Sequence, residues 1–471
     1  MKVLLINPPR EHEIIGNNPT IIEKERGFNP PLGLLYIAAF LEQRSRHEVS
    51  VIDAQVEGLS YGELRQRIRE AKPDAVGLTA MTMTIIDVRQ TIGIIKEELP
   101  DTLVLLGGPH VNIFPMETVN LPGVDYVVMG EGERIIVELL DRLQEGRDLG
   151  GLKGLIYKEN GRIVNNGAIQ HIEDLDSLPF PARHLVPYKK YNSLLSTGGI
   201  VTTVFSSRGC PFKCRFCDRP QMGKRFRARS AQNVVDELEQ CVSMGIREFL
   251  IYDDTFTVNK QRVMDICDLI LERKLDIGFD IRARVDTVTE PMLKKLKQAG
   301  CEGIHYGVEA GTPHILKVLN KGITLELAQQ VFTMTKKAGI PTLAYFMIGN
   351  PQETLEDIEE TFRVIRRLNP DFVHMTVLTP FPGTQVYFDA LEQKLIPTDV
   401  WKEFAENPTP DFSPPHWPQY FTREELNKLL VKGYKGFYLR PGYILKRIAK
   451  LRSWAEFKKK ARAGLKVLGM K

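Results

Sequence analysis

The chain has 471 residues, of which 43% are hydrophobic and 26% are charged, and its formal net charge is +4. These values exclude a disordered or fibrous chain, and the length predicts two or three domains with ample core. No stretch reaches the roughly 18 apolar residues that a membrane-spanning helix needs. The apolar run at the start of the chain is too short for a secretory signal, and six cysteines, three of them clustered, favour a reducing cytosol. We therefore expect a cytoplasmic protein.

The first 145 residues alternate between apolar runs and helical patterns. The apolar runs predict five buried strands, at 1–7, 49–53, 75–79, 102–106 and 125–129. This alternation predicts an α/β domain with a doubly wound parallel sheet, whose ligands bind beyond the carboxyl ends of the strands. A polar loop, Thr79–Thr84, follows the third strand. Glycine turns that let the backbone approach a large flat cofactor follow the last two, as Gly107-Gly108-Pro109-His110 and Gly130-Glu131-Gly132-Glu133.

The order of elements and these turns resemble the Rossmann-like cobalamin-binding domain that precedes many radical S-adenosylmethionine (radical SAM) domains. That family's Asp-x-His-x-x-Gly motif, which supplies a cobalt-ligating histidine in the mutases, is missing, because none of the nine histidines has an acid two residues earlier. The class with this N-terminus binds cobalamin without that histidine. The alternatives are a sheet that has lost the cofactor and a purely structural His110. The resemblance implies cobalamin contacts at Thr79, Thr82, Gly107, Gly108, His110, Gly130, Glu131 and Gly132.

Residues 146–198 are predicted to connect the two main domains. The apolar segments Lys153–Tyr157 and Arg162–Val164 flank Glu159-Asn160-Gly161, which is typical of a β-hairpin. Two prolines two positions apart, Pro179 and Pro181, exclude a helix and predict an extended linker.

Three cysteines lie within eight residues, at Cys210, Cys214 and Cys217. Structural zinc usually takes four protein ligands, and no fourth cysteine or histidine lies nearby. An iron–sulfur cluster held by three thiolates leaves one iron open, which is useful if that iron must ligate a substrate. A zinc knuckle or three structural cysteines is the alternative. The other cysteines stand singly in apolar surroundings, where a cysteine is usually a small buried hydrophobe.

After this motif the alternation of strands and helices recurs. Six strands are predicted near 201–206, 247–252, 277–283, 303–309, 342–348 and 372–378. The spacing C-x3-C-x-aromatic-C resembles the signature of the radical SAM enzymes. The resemblance implies a [4Fe-4S] cluster on Cys210, Cys214 and Cys217, with S-adenosylmethionine on the open iron and its reductive cleavage to a 5′-deoxyadenosyl radical. It also implies a partial (β/α)6 barrel over about residues 199–395.

The chemistry of parallel barrels lies at the carboxyl ends of the strands, and polar residues follow several of these strands. By the resemblance, Asp253 and Asp254 bind the amino group of S-adenosylmethionine, and Arg284 pairs with its carboxylate. Glu309 accepts hydrogen bonds from the ribose. The turn that starts at Gly349 is similar to the family's Gly-x-Pro-x-Glu-Thr turn behind the adenine, but it has glutamine where glycine is usual. The turn 379–384 is expected to shape the barrel mouth.

Residues 396–471 are predicted to form a C-terminal loop and a basic helical extension. Five prolines within 407–418 predict an irregular loop across the barrel mouth, and Thr422 with Glu425 predicts a capping box that opens a helix. From residue 432 onward, thirteen lysines and arginines accompany one acid, so this segment carries +12 and the rest of the chain −8. Such a basic amphipathic segment lies on an anionic membrane or docks on the barrel. No nucleic-acid-binding module accompanies it.

Within the cobalamin-binding class, the chain most resembles the group of the anaerobic magnesium-protoporphyrin monomethyl ester cyclase and the hopanoid-associated enzymes. Two chemistries are open: methyl transfer to an unactivated carbon, which is commoner in the class and which we favour, and cyclase- or hydroxylase-type oxidation of a porphyrin or isoprenoid lipid. A non-catalytic metal-binding scaffold is a third hypothesis, against which the acids at the strand ends argue. The expected partners are a small-molecule substrate, an electron donor such as flavodoxin or ferredoxin, and a membrane surface if 432–471 binds lipid.

Overall fold

The computed structural model describes residues 1–17, 27–168, 171–193, 199–218 and 223–449, with side chains up to residue 445. The strands in these ranges are β1 Lys2–Asn7, β2 Gly27–Phe28, β3 Glu48–Asp53, β4 Ala75–Thr79, β5 Leu103–Gly107, β6 Tyr126–Val128, β7 Leu155–Glu159, β8 Arg162–Asn165, β9 Asn192–Ser193, β10 Val201–Val204, β11 Ser207–Arg208, β12 Arg227–Ala228, β13 Glu248–Ile251, β14 Gly278–Ala283, β15 Cys301–Glu309, β16 Thr342–Ile348 and β17 Phe372–Val377. The helices are α1 Leu32–Arg44, α2 Ala54–Glu57, α3 Tyr61–Ala71, α4 Ile85–Glu98, α5 Pro109–Ile113, α6 Pro115–Asn120, α7 Gly132–Glu145, α8 Ala231–Ser243, α9 Lys260–Glu272, α10 Glu290–Gln298, α11 Pro313–Val318, α12 Leu325–Lys337, α13 Leu355–Leu368, α14 Gln385–Glu392, α15 Val400–Glu406, α16 Arg423–Tyr438 and α17 Pro441–Ala449.

The first sheet has seven strands in the order β3-β1-β4-β5-β6-β7-β8. The strands from β3 to β6 pair in parallel, which confirms the predicted doubly wound sheet. Helices cover both faces of such a sheet, so its strands are short and apolar along their whole length. In β4, for example, four of the five residues are buried. Burying a valine or leucine such as Val76 or Leu78 contributes roughly 1.5–3 kcal/mol, so the sheet is the core of this half of the chain.

The hairpin of β7 and β8 lies elsewhere than expected. Its sequence pattern predicts a place in the connector, but β7 pairs antiparallel with β6 and so extends the first sheet. Leu155, Ile156 and Tyr157 are buried by this pairing. A two-stranded hairpin is marginal by itself in water, and its apolar residues need the core of a larger sheet.

The strand order of the first sheet reverses at β1, which has β3 on one side and β4 on the other. Ligands of such sheets bind beyond the carboxyl ends of the strands at this reversal. The chain that leaves β1 there crosses to the second domain. The backbone N–H of Ile14 donates to the carbonyl of Met83 at 2.8 Å, and Asn17 Nδ2 donates to Thr379 Oγ1 at 2.9 Å. The carboxyl ends of both sheets therefore border the same segment.

The second sheet has six parallel strands in chain order, β10-β13-β14-β15-β16-β17. The edges are β10 and β17, as expected for an open (β/α)6 barrel. Side chains alternate along each strand, so that one set packs against the surrounding helices and the other faces the barrel interior. On β15 the outward set is Ile304, Tyr306 and Val308, all fully buried under helices.

Capping residues fix where two of the helices begin. Thr422 and Glu425 form the predicted capping box at the start of α16, and Thr354 with Asp357 forms another at the start of α13. In each, the hydroxyl accepts from a backbone N–H inside the helix, and the carboxylate accepts from the N–H of the capping residue. These caps also fix the preceding loops, one of which lies at the carboxyl end of β16.

Buried ion pairs join the two halves of the chain. Glu131, after β6, accepts two hydrogen bonds from Arg227 at 2.7 and 3.0 Å and lies 3.3 Å from Arg208. Glu133 accepts from the same Arg208 at 2.5 Å. All four side chains are at most 7% exposed. Arg208 and Arg227 face each other in the ribbon of β11 and β12, on either side of the cysteine cluster. The carboxyl end of the first sheet is thereby held against the cysteine loop.

Helix α16 covers the edge of the second sheet. The Tyr434 hydroxyl lies 2.9 Å from the backbone nitrogen and 2.8 Å from the carbonyl oxygen of Met375. The Tyr438 hydroxyl makes the same two contacts with Val373, at 3.0 and 2.9 Å. Two tyrosines one helical turn apart therefore satisfy the backbone groups that β17 would otherwise present to a further strand.

The basic segment 432–471 is described only as far as residue 449. Lys432 pairs with Glu359, so the beginning of the segment packs on the second domain. On α17, Ile444 and Leu445 are 41% and 66% exposed. No helix in the described ranges is long and apolar enough to cross a membrane.

Candidate active site

The three clustered cysteines lie on a loop at the carboxyl end of the second sheet. Two contacts anchor the loop: the Arg215 N–H donates to the carbonyl of Leu319 at 3.0 Å, and Asn320 Nδ2 donates to the carbonyl of Lys213 at 2.7 Å. Cys210 and Cys214 are half-buried, and Cys217 is exposed. The backbone is thus held in place while the thiols stay accessible.

The donor set fits an iron–sulfur cluster better than a single metal ion. Among the described residues, no three His, Cys, Asp or Glu side chains are placed to share one ion. A cluster makes a different demand, because each thiolate ligates a different iron. Desolvation by the surrounding protein raises the pKa of Cys210 and brings that of Cys217 to about 12. Protein atoms therefore surround the Cys217 thiol even though its residue is exposed, which places it in a concavity. Without a metal, such thiols stay mostly protonated. Iron in a cluster stabilises their thiolate form.

Arg284 lies at the end of β14, directly against this loop. Its Nη1 is 3.6 Å from Cys214 Sγ, and its guanidinium lies 3.8 Å from the centre of the Phe212 ring. Asp286 holds the guanidinium through two hydrogen bonds of 2.9 Å, and the Lys321 carbonyl accepts a third at 2.6 Å. A cofactor carboxylate at Arg284 would have to compete with Asp286. The positive charge is already placed to stabilise the Cys214 thiolate.

The two acids after β13 have different surroundings. Asp253 is fully buried and accepts hydrogen bonds of 2.5–3.2 Å from the backbone N–H and hydroxyl groups of Ser206 and Ser207. These four bonds occupy its carboxylate, so we revise the prediction that Asp253 binds the cofactor amino group. It fixes the start of the cysteine loop instead. Asp254 is exposed beside the cysteines, and desolvation together with the charge of Asp253 raises its pKa. It is the acid of this pair that faces the cluster ligands.

Glu309 ends β15 in a conformation that L-residues rarely adopt, with a φ of +77°. Such a residue costs on the order of 1–3 kcal/mol and is typical of functional sites. Its Oε1 accepts a hydrogen bond from Lys321 at 2.8 Å, and both side chains are buried. A Cβ on the neighbouring Gly307 would lie 2.2 Å from that oxygen and 2.8 Å from Lys321 Nζ. Glycine therefore makes room for the ion pair, and the second carboxylate oxygen is left for the predicted ribose contact.

The turn after β16 contains two residues in the left-handed region, Gly349 with a φ of +75° and Gln352 with +63°. A Cβ at Gly349 would lie 2.9 Å from Leu426 Cδ1. Gln352 keeps the conformation that glycine adopts without strain, so the departure from the family pattern leaves the turn intact. The Gln352 N–H donates to Gln419 Oε1 at 3.1 Å, which ties the turn to the end of the proline-rich loop.

Two further polar side chains of this turn, which the sequence analysis did not single out, are buried. Asn350 and Glu353 are 2% and 1% exposed, and the Asn350 N–H donates to Glu353 Oε2 at 2.9 Å. Asn350 Oδ1 and Glu353 Oε1 have no hydrogen-bond partner among the described residues. Burial raises the pKa of Glu353 to about 7. Buried polar atoms without partners are rare, and these fit a ligand with its own donors, such as the amino group of an adenine.

Replacing Glu353 by glutamine is expected to stabilise the protein at pH 8 and to have little effect at pH 5. The pKa of Glu353 is about 7 in the folded chain and 4.5 ordinarily. The neutral carboxyl group therefore contributes fully to the free energy of unfolding below its ordinary pKa. That free energy falls by on the order of 3 kcal/mol as the pH rises from the ordinary pKa through the folded-state pKa. Glutamine cannot ionise and avoids this loss. Thermal unfolding of the full-length protein at both pH values is the measurement.

The exposed Glu356, one turn along on α13, is the matched control for this variant. Glu356→Gln should unfold at the same temperature as the parent protein at both pH values. If Glu353→Gln and the parent protein unfold at the same temperature at pH 8, the carboxyl group is not held neutral by burial.

The predicted cobalamin residues converge at the carboxyl ends of β4 and β5. Thr79 pairs with Gly107 across these strands, and Gly108 follows with a φ of +100°. A Cβ at Gly108 would lie 2.8 Å from the carbonyl of Ala80 and 2.9 Å from Thr79 Oγ1. Only glycine fits both the conformation and the space. The two turns consequently pack backbone to backbone, and this flat edge suits a large planar cofactor.

His110 lies on the same turn but is fully buried. Its Nδ1 is 3.1 Å from Thr82 Oγ1, and its ring packs on Phe114 with centroids 5.5 Å apart. Nε2 is buried and makes no hydrogen bond to the described residues, and burial lowers the His110 pKa to about 4. The imidazole is therefore neutral, and neither nitrogen reaches the surface where the cofactor edge lies. His110 supports the turn from inside, while the half-exposed Thr82 remains a predicted cofactor contact.

The turn after β6 directs its residues to two different places. Gly130 has a φ of +76°, and Gly132 opens α7 in close contact with α1. Between them, Glu131 turns its carboxylate toward Arg208 and Arg227 of the second domain. Burial opposes its ionisation, but the hydrogen bond from Arg227 and the charge of Arg208 lower the pKa of Glu131 below its usual value. We therefore revise the prediction that the Glu131 side chain contacts cobalamin.

Sequence reasoning missed two sets of residues near the site. One is the pair of arginines that carry the ribbon beside the cysteines, Arg208 and Arg227. The other lies on the interior face of the second sheet, where Arg282 stacks on Tyr252 at 4.0 Å. The spacing of two between Arg282 and Arg284 places both on one face of β14, and this signal could have identified Arg282.

Two family profiles match the chain over the parts that carry these residues. The profile of the radical SAM superfamily matches residues 204–365, and that of the B12 binding domain matches residues 20–140. The first match contains the cysteine loop and the turn after β16. The second contains the glycine turns of the first sheet.

Individual relatives extend the similarity along the chain. An uncharacterized methyltransferase of Pyrococcus horikoshii is 37% identical over 454 residues, which is 95% of either chain. The anaerobic magnesium-protoporphyrin IX monomethyl ester cyclase of Rubrivivax gelatinosus is 30% identical over 94% of this chain and 78% of that enzyme. The radical S-adenosylmethionine methyltransferase TsrM of Kitasatospora setae, solved with cobalamin and a [4Fe-4S] cluster, superposes with a TM-score of 0.68 and 22% identity over 83% of this chain and 75% of that one. This last likeness concerns the fold alone.

Proposed function

The chain belongs to the radical SAM enzymes that carry a B12-binding domain, and we propose that it transfers a methyl group to an unactivated carbon of a small molecule. Its cofactors are a [4Fe-4S] cluster, S-adenosylmethionine and cobalamin. Methyl transfer is favoured over cyclase-type chemistry because the relative that matches 95% of both chains is described as a methyltransferase, whereas the cyclase is 30% identical.

The protein's own side chains hold and orient the reactants. When bound, the cofactors supply a 5′-deoxyadenosyl radical and a methyl group. The three clustered cysteines would hold three irons, and Arg284 places positive charge beside one of them. Asp254 would take the amino group of S-adenosylmethionine, and Glu309 its ribose. The turn of Gly349 would lie behind the adenine, where Glu353 has an unpartnered buried oxygen.

The observation that carries the proposal is the attachment of the cysteine loop to the turns of the first sheet. Arg208 precedes Cys210 by two residues and pairs with Glu133 beside the turn after β6. Methyl transfer requires the methyl donor and the activated carbon to meet in one cavity in a fixed orientation. Buried ion pairs that hold the two halves together support such an arrangement.

Mass spectrometry after anaerobic turnover tests the reaction. The reconstituted full-length protein is incubated with cobalamin, a reductant, cell extract and S-adenosylmethionine labelled in its methyl group. A product that gains one labelled methyl group supports the proposal. A product that gains oxygen or closes a ring without the label would replace it with cyclase- or hydroxylase-type chemistry. Intact S-adenosylmethionine in the presence of a loaded cluster would favour the scaffold hypothesis.

We further propose that no protein histidine ligates the cobalt. His110 lies on the turn that forms the predicted cofactor edge, and both of its nitrogens are buried. Electron paramagnetic resonance of the reduced, cobalamin-loaded protein measures this directly. Coupling to nitrogen that changes when histidine is labelled with nitrogen-15 would contradict it.

A small electron-transfer protein such as flavodoxin or ferredoxin is proposed as the reductant. Cys217 is exposed, so the cluster it holds would lie close to the surface. Electron transfer needs such proximity, and reduction of the reconstituted protein by either donor can be followed by visible absorbance.

Ending the chain at Pro441 is expected to abolish binding to anionic vesicles. The segment 432–471 carries +12, and each basic residue near an anionic surface contributes on the order of 1 kcal/mol. The truncation removes most of this charge and keeps α16, which covers β17. The intact chain should sediment with anionic but not with neutral vesicles, and the attraction should fall steeply with salt. Equal sedimentation of the two chains would place the segment on the protein itself.

A further inference from the structure

The interior face of the second sheet carries an unusual set of side chains. Parallel barrels usually fill this space with branched apolar residues. Here polar or aromatic side chains occupy inward positions of five successive strands, counting the residue just after β13. They are Tyr252 just after β13, Asp280 and Arg282 on β14, His305 on β15, Tyr345 on β16 and His374 on β17. Polar groups in such a space need partners, and a ligand is one source of them.

The register of the strands places this set just below the cofactor level. Arg282 lies opposite His305, and Tyr345 lies opposite both Gly307 and His374. Arg284, which contacts Cys214, is the next inward residue after Arg282 on the same strand. Two residues along a strand span about 6.6 Å, so Arg282 lies one side-chain layer beneath the cysteine loop. A molecule in the barrel under the cofactors would meet these side chains.

Arg282 is the arginine of this region that lacks an acidic partner. It is half-buried, it stacks on the Tyr252 ring at 4.0 Å, and none of the described carboxylates lies within 4.0 Å of its guanidinium nitrogens. The strongly buried arginines of the described ranges all have such a carboxylate: Arg183, Arg208, Arg227, Arg229, Arg262 and Arg284. The fold thus pairs its strongly buried guanidinium groups directly, whereas Arg282 has the longer-range charge of Asp254 near it. An acidic ligand would complete the pair.

The Tyr345 hydroxyl is a second donor near Arg282, and neighbouring side chains hold it in position. His305 is 4% exposed; its Nδ1 is 3.1 Å from the Tyr345 hydroxyl, and its Nε2 lies 3.5 Å from Asp280 Oδ2 without forming a hydrogen bond. The Tyr345 ring lies between His305 and His374, at centroid distances of 5.9 and 5.6 Å. These contacts restrict the tyrosine to one position on the interior face.

We propose that Arg282 and Tyr345 bind a carboxylate group of the substrate inside the barrel, and that His305 holds the tyrosine hydroxyl in place. A guanidinium and a hydroxyl together match a carboxylate in charge and geometry. A single guanidinium matches a monoanion better than a doubly charged phosphate. The inference rests on the proposed function in that it takes the substrate to be a small molecule that enters the barrel.

Binding of benzoate and its neutral analogue benzamide tests the inference. The reconstituted full-length protein, loaded with S-adenosylmethionine so that the cofactor site is filled, is titrated with each probe and followed by ligand-observed nuclear magnetic resonance. Benzoate is expected to bind at least tenfold more tightly than benzamide. Arg282→Gln should remove that preference, and Tyr345→Phe should weaken benzoate binding severalfold. Arg247→Gln, at an exposed arginine before β13, is the control and should bind benzoate like the parent protein.

Three outcomes would overturn the inference. They are equal binding of the two probes, no binding of benzoate by the parent protein, and a loss of S-adenosylmethionine affinity in Arg282→Gln as large as its loss of benzoate affinity. The last would place Arg282 on the carboxylate of the cofactor. Iron content and thermal unfolding show whether each variant is folded. Because the measurement is binding, its result stands whether or not a labelled methyl group reaches a product, so failure of the proposed function is recognised separately.

Discussion

Replacing Cys214 by alanine in the full-length protein is expected to abolish iron loading and the formation of 5′-deoxyadenosine. Three thiolates are the protein's whole share of the cluster ligands, so loss of one leaves too few to hold it. Cys214 also has Arg284 Nη1 at 3.6 Å, and this buried guanidinium would lose a nearby anion. Iron per chain, broad visible absorbance and chromatography of the nucleoside product measure the effect. Cys210→Ala and Cys217→Ala should give the same result.

Cys241→Ala provides the matched control, because Cys241 is fully buried on α8, away from the loop. This variant loses a small buried side chain and should keep its colour, its iron and its cleavage activity. The parent protein could instead be colourless and hold one zinc ion tightly through the three clustered cysteines. That result would refute the hypothesis that this loop holds the iron–sulfur cluster of an enzyme.

Glu131→Ala is expected to lower the stability of the junction between the two halves by roughly 3–5 kcal/mol. The change leaves Arg227 without its carboxylate and Arg208 with Glu133 alone, and both guanidinium groups remain buried. A buried charge that loses its partner incurs its desolvation cost without compensation. Thermal unfolding and limited proteolysis of the full-length protein measure the loss.

Two further variants separate this mechanism from a general effect of mutation. Glu290→Ala removes an exposed partner of Lys294 on a helix surface and should unfold close to the parent temperature, because water already screens that pair. The double change of Glu131 and Arg227 to methionine should recover part of the lost stability, since it buries no unpaired charge at that pair. An unchanged midpoint in Glu131→Ala would mean that the two halves are not joined there.

Much of the architecture follows from local sequence patterns. Strands of a parallel sheet are short apolar runs between helices, so β1, β4 and the six strands of the barrel could be predicted close to their observed limits. The placement of β7 and β8 could not, because a hairpin pattern does not specify which sheet it joins. The two-residue ribbon of β11 and β12 is too short to have a periodicity of its own.

The sequence indicates where the residues of the candidate site lie better than it indicates what each of them does. Acids at the ends of strands were predicted to lie near the cysteines, and Asp254 lies beside Cys210 and Cys217. The sequence cannot show which carboxylates are already occupied. The carboxylate of Asp253 accepts hydrogen bonds from serines 46 and 47 positions earlier in the chain. The carboxylate of Glu131 accepts hydrogen bonds from an arginine 96 positions later. Such pairings depend on how the elements fold together. For the same reason, only the three-dimensional structure distinguishes Arg284, which is paired with Asp286, from Arg282.

The tyrosines of α16 also determine how the barrel behaves toward other chains. Backbone groups on an uncovered edge strand recruit strands from neighbouring molecules, which is a common route to aggregation. Tyr434 and Tyr438 occupy those groups on β17 with side-chain hydroxyls, so self-association through this edge is blocked without a charged or bulged strand. A chain that stops before Thr422 would keep every predicted catalytic residue and lose this cover. Such a fragment would be expected to precipitate or to form intermolecular sheets on concentration.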